Sequence, residues 1–433
     1  MRHAVHSLER GLTANYTNGS NRARRHSTPA RFDRSAARAQ GAALSKATEL
    51  QEIGHSGGRV TFTVTVVDGR VSYQVGWSHS RPNAAAVFAV YAIPQGAAVD
   101  DIELGGIGSR WNPPPIPGCY PVFISSDSTG MFGHQCPGCN GYWRSKHLST
   151  VCPYCAFQSQ KHFRFLTQAQ QRYVPEYCAT LHRALESGEP GEYVIDMDAV
   201  ADAAGKDCPK PDFYYAEERQ QNLFTCSACN GVTDVLGTYA YCSVCATRND
   251  LQELETRIQA IRHRANSGGP YEACVRDAVA AFDSSASQYA KQLLSRVPLT
   301  RMRRAKLERS LYHNVETAAE IFQSAFGVDI LDGVSAEDRA FGTKMFHRRH
   351  VYEHRGGEAD EKYIADSGDN VRPKQALRET QESAHRTASF VLKLAGNIHR
   401  GFHEMFPPRE EPIKRHEDDV KRREEWAKRH RSK

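Results

Sequence analysis

The amino-acid sequence predicts a multidomain α+β protein: a small N-terminal β domain, two four-cysteine modules and a C-terminal all-α helical bundle. Apolar and polar residues alternate near the N-terminus, four Cys-x-x-Cys pairs occupy the middle, and helical apolar spacing begins at Leu251 and continues almost to the end. With 433 residues, 40% of them hydrophobic, the chain is long enough for several packed domains.

Changes in composition define the predicted boundaries. They are an Arg-rich arm (1–56), a β domain (57–130), a first cysteine module (131–160), a helical linker region (161–220), a second cysteine module (221–250), a helical bundle (251–405) and a charged tail (406–433). Residues 1–40 hold eight arginines, opposed only by Glu9 and Asp33, so the net charge of +6 belongs to the arm. We expect a disordered arm, of a kind that sometimes touches nucleic acid, and no concentrated basic patch elsewhere.

A β-hairpin is predicted at the start of the β domain. RVTFTVTVV (59–67) alternates apolar residues with threonines, and Asp68-Gly69 separates it from VSYQVGW (71–77). Alternating runs around Asp-Gly are a strong hairpin signal. AAVFAVYAI (85–93) and YPVFIS (120–125) predict further strands.

The sequence shows no secretory signal, and its longest apolar run, Ala84–Ile93, is too short to cross a bilayer. We therefore expect a cytoplasmic protein without a membrane partner. In that compartment paired cysteines indicate metal ligands rather than disulfides. The four cysteines outside the pairs are predicted to be small buried apolar residues: Cys119, Cys178, Cys208 and Cys274.

The cysteine pairs form an internal repeat. CPGCNGYWRSKHLSTVCPYCA (136–156) and CSACNGVTDVLGTYAYCSVCA (226–246) both read Cys-x-x-Cys-Asn-Gly, ten residues, then Cys-x-x-Cys-Ala. Asn-Gly suits a turn with positive φ, and four thiolates form a closed tetrahedral site, so we predict two structural zinc ions and no catalytic metal. The predicted ligands are Cys136, Cys139, Cys152, Cys155, Cys226, Cys229, Cys242 and Cys245. A pair of redox dithiols is the alternative, although it does not require two pairs at fixed spacing.

Both modules resemble zinc ribbons, which occur widely in nucleic-acid-binding and protein-binding proteins. In the first module, stacking on and contact with nucleic acid are possible roles of Tyr142, Trp143, Arg144 and Lys146. The second loop has no basic residue and suits packing or protein contact. A purely structural role for both modules is an equal alternative.

The C-terminal part predicts helices at 249–265, 271–296, 300–325, 336–355 and 374–404. The fourth begins after Ser335, a natural N-cap, and stops at Gly356-Gly357. On this helix His347, His350 and His354 have the spacing i, i+3 and i+7 and share one stripe. We expect the neighbouring Arg348 and Arg349 to reach back toward it.

Such a stripe has the minimum chemistry for RNA cleavage without a metal. An imidazole exchanges protons near neutral pH, and a guanidinium binds phosphate. Histidine would abstract the 2′-hydroxyl proton, arginine would stabilise the pentavalent phosphate, and a second donor would protonate the leaving 5′-oxygen. Two alternatives remain open: basic side chains favoured by the helix dipole, and a metal held by His350 and His354.

Residues 270–405 resemble a HEPN domain, a helical-bundle family whose nuclease members carry Arg, four to six residues and then His near the end of a late helix. Arg349 and His354 fit the four-residue form. The position directly after the arginine is commonly polar in the family, and here it is occupied by His350. Gly357, Asp360 and Tyr363 fall where family members place Gly, Asp and Tyr.

The resemblance implies a metal-independent endoribonuclease whose active site forms across a homodimer, with Arg349 and His354 from each protomer. It implies 2′,3′-cyclic phosphate products from an RNA substrate, and a bacterial toxin or antiphage defence role. Glu353 either orients a histidine or weakens RNA binding. The alternatives are a non-catalytic RNA- or protein-binding scaffold with an inactive HEPN-like dimerisation domain, and a DNA-binding regulator.

Overall fold

The computed structural model describes residues 58–67, 70–79, 87–103, 116–126, 130–186, 189–205, 221–310 and 312–431. The predicted arm at 1–56, the Asp68-Gly69 turn and Cys208 lie outside these residues. The chain forms two compact units. The N-terminal unit comprises Met1–Gly237 and Cys242–Cys245, and the C-terminal unit comprises Thr238–Tyr241 and Ala246–Lys433. Strands and helices together confirm the predicted α+β class.

The strands of the described residues lie in the N-terminal unit. They are β1 (Gly58–Val67), β2 (Arg70–His79), β3 (Val87–Ala92), β4 (Ala98–Glu103), β5 (Tyr120–Ser125), β6 (Phe132–Gln135), β7 (Tyr142–Ser145), β8 (Gly191–Asp196), β9 (Gln221–Thr225) and β10 (Val232–Leu236). Its helices are α1 (Gln168–Glu186) and α2 (Met197–Gly205), with a 3₁₀ turn at His162–Phe165.

The predicted hairpin is confirmed by the pairing of β1 with β2. The strands are antiparallel, and Val67 lies opposite Arg70, so residues 68 and 69 connect them. Val60, Phe62 and Val64 are buried. The alternation of the sequence thus places one face of β1 in the core, as the period of two in a strand requires.

The segment predicted as a helical linker region (161–220) contributes instead to the core of the β domain. β8 pairs antiparallel with β1, which completes a sheet of order β2-β1-β8 beside a second sheet of order β4-β3-β5. Helix α1 packs Tyr173, Tyr177 and Leu181 into the core that both sheets share. The interpretation of this segment as a linker is therefore wrong for its described residues, because the apolar face of α1 packs against the two sheets.

The two cysteine modules share one four-stranded sheet of order β6-β7-β10-β9. The central strands β7 and β10 are antiparallel, with Asp234 opposite Arg144 and Thr233 opposite Ser145. The two modules of the repeat are therefore joined through one edge strand of each. Each module covers an edge strand that the other would expose to solvent.

The C-terminal unit is helical. Its helices are α3 (Asp250–Asn266), α4 (Tyr271–Arg296), α5 (Arg301–Glu308), α6 (Val315–Phe326), α7 (Ala336–His354), α8 (Glu361–Ser367), α9 (Gln381–Met405) and α10 (Glu410–Arg431). Helix α4 packs against α3, α7 and α9. None of the described helices combines the length and the apolar character that crossing a membrane requires.

Helix boundaries follow their caps. The Ser335 hydroxyl accepts a hydrogen bond from the Asp338 amide, and α7 ends before Gly356 and Gly357, both of positive φ, as predicted. The helix predicted at 300–325 is wrong, because the chain breaks into α5 and α6, where Asn314 caps α6. The helix predicted at 374–404 begins only at Gln381, and the charged tail contains the regular helix α10.

Two glycines in neighbouring helices predict opposite effects of the same substitution. A Cβ at Gly342 on α7 would overlap the buried ring of Phe390 on α9, whereas one at Gly396 would meet nothing. We expect Gly342→Ala to destabilise the protein by about 1–3 kcal/mol through overpacking. Gly396→Ala should stabilise it by about 0.5–1 kcal/mol through helix propensity. Urea denaturation followed by helical circular dichroism checks both, and equal shifts would contradict the close packing of α7 on α9.

Candidate functional site

Each cysteine module brings its four predicted ligands together. In both groups the four sulfur atoms lie within 4.8 Å of one another, a set that could hold a metal ion. Within the first, the Sγ atoms of Cys136 and Cys155 are 3.6 Å apart, and every described cysteine is a free thiol. The predicted grouping is confirmed, and the redox alternative is disfavoured because all four thiols converge.

The knuckles that hold these thiols have a local cause. Asn140 and Asn230 adopt the predicted positive φ, at 58° and 61°, and each amide donates to the carbonyl of the first cysteine of its module. The following glycines are required for space: a Cβ at Gly141 would lie 2.5 Å from the ring of Tyr154, and one at Gly231 would lie 2.9 Å from Val244. In each Asn-Gly pair the asparagine therefore provides the turn, and the glycine allows the backbone to approach a neighbouring side chain closely.

The structure favours the structural alternative for three of the four side chains named above for nucleic-acid contact, and it leaves the fourth, Lys146, exposed. Trp143 is fully buried and donates from Nε1 to Ser149, and Tyr142 is buried as well. Arg144 forms a 2.8 Å ion pair with buried Asp234, its cross-strand neighbour. Lys146 is exposed. The ion pair of Arg144 follows from the pairing of β7 with β10, which the sequence repeat did not reveal, whereas Trp143 is stacked on a side chain of its own module.

The second candidate site is the C-terminal end of α7. The rings of His350 and His354 are 4.8 Å apart, as spacing i, i+4 allows, and both residues are exposed. Burial lowers the pKa of His350, and the positive charges of His354, Arg355, Arg349 and His313 lower it further. The structure therefore gathers several cationic groups at one point.

Arg349 lacks a counterion at this point. Its Nε atom is buried without a hydrogen-bond partner, and within the described residues its guanidinium forms no ion pair. Glu353 is exposed and likewise forms no ion pair there. Arg349 therefore adds an uncompensated positive charge that acts on His350, whose ring contacts that of His354.

His313 was not predicted to belong to this site. It lies in the break between α5 and α6, where the Tyr312 amide donates to Asp283 at 2.7 Å and Asn314 caps α6. Because the sequence predicts one continuous helix here, it gives no signal for a histidine held in a turn. His313 lies in this break, and its positive charge is one of those that lower the pKa of His350.

The charged groups that act on His347 differ from those that act on His350. Burial lowers its pKa, and the charges that act on it are those of Asp366 and Lys362 on α8. The predicted stripe of three histidines is therefore reduced to the contacting pair His350 and His354.

Arg348 does not reach the histidines as predicted. Its guanidinium binds Asp369 at 2.6 Å and Glu379 at 2.9 Å, and these side chains are only 13%, 9% and 1% exposed. Although burial alone would lower the pKa of Arg348, its hydrogen bonds to Glu379 and Asp369 raise it above the usual value. Tyr352 donates to the same Glu379. Arg348 thus ties the segment after α7 to the helix.

The residues that match the family pattern beyond His354 have structural tasks in this chain. Gly357 adopts a φ of 85° just past α7. Asp360 caps α8 by accepting from the Tyr363 amide at 2.7 Å, and it forms an ion pair with Arg355. The Tyr363 hydroxyl donates to Asp369. Together they shape the turn that follows the histidine pair.

Comparison with known proteins gives no relative: no family model, curated protein or solved structure matches this chain. The chemistry of the two candidate sites therefore rests on their residues. Four converging thiols suit a soft divalent ion, and an unpaired guanidinium with two imidazoles suits a phosphate.

The cysteine modules predict two metal ions per chain, one in each four-thiol group. Elemental analysis of the purified protein should find two equivalents. Cys136→Ser should retain about one, because a four-ligand site loses most of its affinity with one thiolate. Cys119→Ser, a cysteine outside both groups, should retain two. A third equivalent that is lost in His354→Ala would instead show a metal at the histidine pair.

The two adjacent arginines of α7 predict very different effects on stability. Arg348→Met leaves Asp369 and Glu379 buried without their cation and should destabilise the protein by about 3–5 kcal/mol. Arg349→Met removes a charge without an ion-pair partner in the described residues and should change stability by about 0.5 kcal/mol or less. Urea denaturation of both variants checks this. Similar losses would mean that Arg349 is also a structural residue.

Proposed function

We propose that this chain is a metal-independent endoribonuclease of the HEPN type, with Arg349 and His354 central and His350 assisting. One observation carries the proposal: at the end of α7 a guanidinium without an ion-pair partner among the described residues acts on an imidazole that contacts a second imidazole. A phosphate of the RNA backbone supplies the anion that this group lacks.

In the proposed reaction a neutral imidazole takes the proton of an RNA 2′-hydroxyl, and the 2′-oxygen attacks the adjacent phosphorus. Arg349 stabilises the added negative charge of the pentavalent phosphate. The bond to the 5′-oxygen breaks, and that oxygen takes a proton from an imidazolium. The products are a 2′,3′-cyclic phosphate and a 5′-hydroxyl. The lowered pKa of His350 suits the base, which leaves His354 as the acid.

A homodimer belongs to the same proposal. His350 and His354 are exposed, so a second copy of the C-terminal unit can bring its own pair to the same RNA. Action in the cytoplasm as a bacterial toxin or antiphage effector follows from the HEPN resemblance. That role is part of the proposal.

We assign zinc to both cysteine modules. Thiolates prefer zinc among the common divalent ions, and four of them leave no open position for water or substrate. The ion would hold each small module folded, and the RNA chemistry would be left to Arg349 and the histidines.

RNA cleavage by variants of the α7 end tests the proposed function. Wild-type protein should cut single-stranded RNA in EDTA while retaining its two zinc equivalents. His354→Ala and Arg349→Ala should each slow cleavage by about 10²-fold or more, since each removes a group that acts in the transition state. His430→Ala, an exposed histidine on α10, is the matched control and should leave the rate unchanged. Strict dependence on added Mg²⁺, or full activity of His354→Ala, would overturn the mechanism.

The pH profile identifies the base. A lowered pKa keeps His350 neutral until the pH falls below its ordinary value of about 6.5. The acid limb of kcat/KM should therefore have its midpoint below about 6.5. A midpoint at or above that value, unchanged in His350→Ala, would assign the base to another group.

A second candidate function is a non-catalytic RNA- or protein-binding scaffold. Glu353 favours it, because an exposed carboxylate one residue before His354 repels a phosphate. This function predicts salt-dependent RNA binding with the RNA left intact. The third candidate, duplex DNA binding by the cysteine modules, is weakened by the burial of Trp143 and the ion pair of Arg144.

A further inference from the structure

Helix α5 carries a dense and exposed group of positive charges. Arg301, Arg303 and Arg309 are exposed, and Met302 is 84% exposed, while Leu307 is buried and anchors the helix. Five of the nine residues at 301–309 are basic, and Glu308 is the one acidic residue. The expectation that no concentrated basic patch exists outside the N-terminal arm is therefore wrong.

The arginines of this group lack counterions. Within the described residues Arg301, Arg303, Arg304 and Arg309 form no ion pair. Other arginines of the same unit are neutralised: Arg339 by Glu316 and Arg400 by Asp332. Unpaired cations on a short exposed helix leave several positions for external anions.

The chain connects this group to the candidate active site. At 1.5 Å per residue, Arg301 and Arg309 are separated by about 12 Å along the helix. His313 follows four residues later, at most about 14 Å away along an extended chain. His313 is in turn one of the cationic groups whose charge acts on His350, so α5 lies within a short length of chain of a residue that acts on the α7 end.

We propose that α5, Arg309 and His313 bind the phosphate backbone of single-stranded RNA on one side of the phosphate held by Arg349. A dense group of exposed cations on α5, followed in the chain by His313, matches the closely spaced charges of a nucleic-acid strand. A membrane surface would need several exposed apolar residues on one face of α5. Among the described residues of this helix, Met302 is the one large apolar side chain that is exposed. The inference rests on the proposed function and adds a path for the substrate.

Binding is measured in the His354→Ala background, so that cleavage does not interfere. The probe is a fluorescein-labelled single-stranded RNA oligonucleotide followed by fluorescence anisotropy. The test variant carries Arg301→Gln, Arg303→Gln and Arg304→Gln. The control carries Lys414→Gln, Lys421→Gln and Arg423→Gln on α10, which removes the same charge. We expect the α5 variant to bind about tenfold more weakly and its salt slope to fall by about 2, and the control to bind as the parent does.

The outcomes separate this inference from the proposed function. If the parent binds RNA through α5 but the His354-intact protein never cuts it, the α5 surface stands and the nuclease proposal fails. If the intact protein cuts RNA and the α5 variant binds with unchanged affinity and salt slope, the α5 surface is overturned and the nuclease proposal stands. Equal weakening by the α10 control would also overturn it. So would binding through α5 to phosphatidylserine vesicles but not to RNA.

Discussion

The candidate active site depends on one buried charge, the guanidinium of Arg348. Asp369 and Glu379 neutralise it, and both carboxylates lie in the segment that follows α7. A buried pair of this kind is costly to break, because each partner would be left as an uncompensated charge. The network therefore holds the chain after Gly357 against the last turns of α7. It also binds Asp369 and Glu379 to Arg348, so that neither of these carboxylates pairs with the adjacent Arg349.

The N-terminal unit shows a related constraint in its duplicated modules. Two copies of a small knuckle, each with too little core of its own, pair through β7 and β10. The ion pair of Arg144 with Asp234 belongs to that pairing, whereas Trp143 is packed by His134 and Phe165. A cation that would be free in an isolated module is thus neutralised in the pair. The duplication supplies a partner for each module, in addition to the metal.

Much of this architecture could be predicted where the signal is local. The period of two in β1, the cysteine spacing and the Ser335 cap with Gly356-Gly357 each determine a nearby structure, and the eight cysteines gather as their spacing indicates. The errors concern distant partners. That β8 joins β1, or that Arg348 finds Glu379, depends on tertiary packing, which no periodicity encodes. His313 was missed because continuous apolar spacing concealed a capped break.

The position of the site at a helix C-terminus explains how its cations are tolerated. Unpaired carbonyls at that end give a partial negative charge, which stabilises each nearby cation by about 0.3–1 kcal/mol. His354 lies in the last turn of α7, Arg355 follows it as the C-cap, and His350 lies one turn before His354. The same dipole disfavours the carboxylate of Glu353, and the negative charge of this carboxylate would weaken the binding of an anion at this end of the helix. These cations therefore persist together in the folded protein, because the helix end offsets part of the repulsion among them.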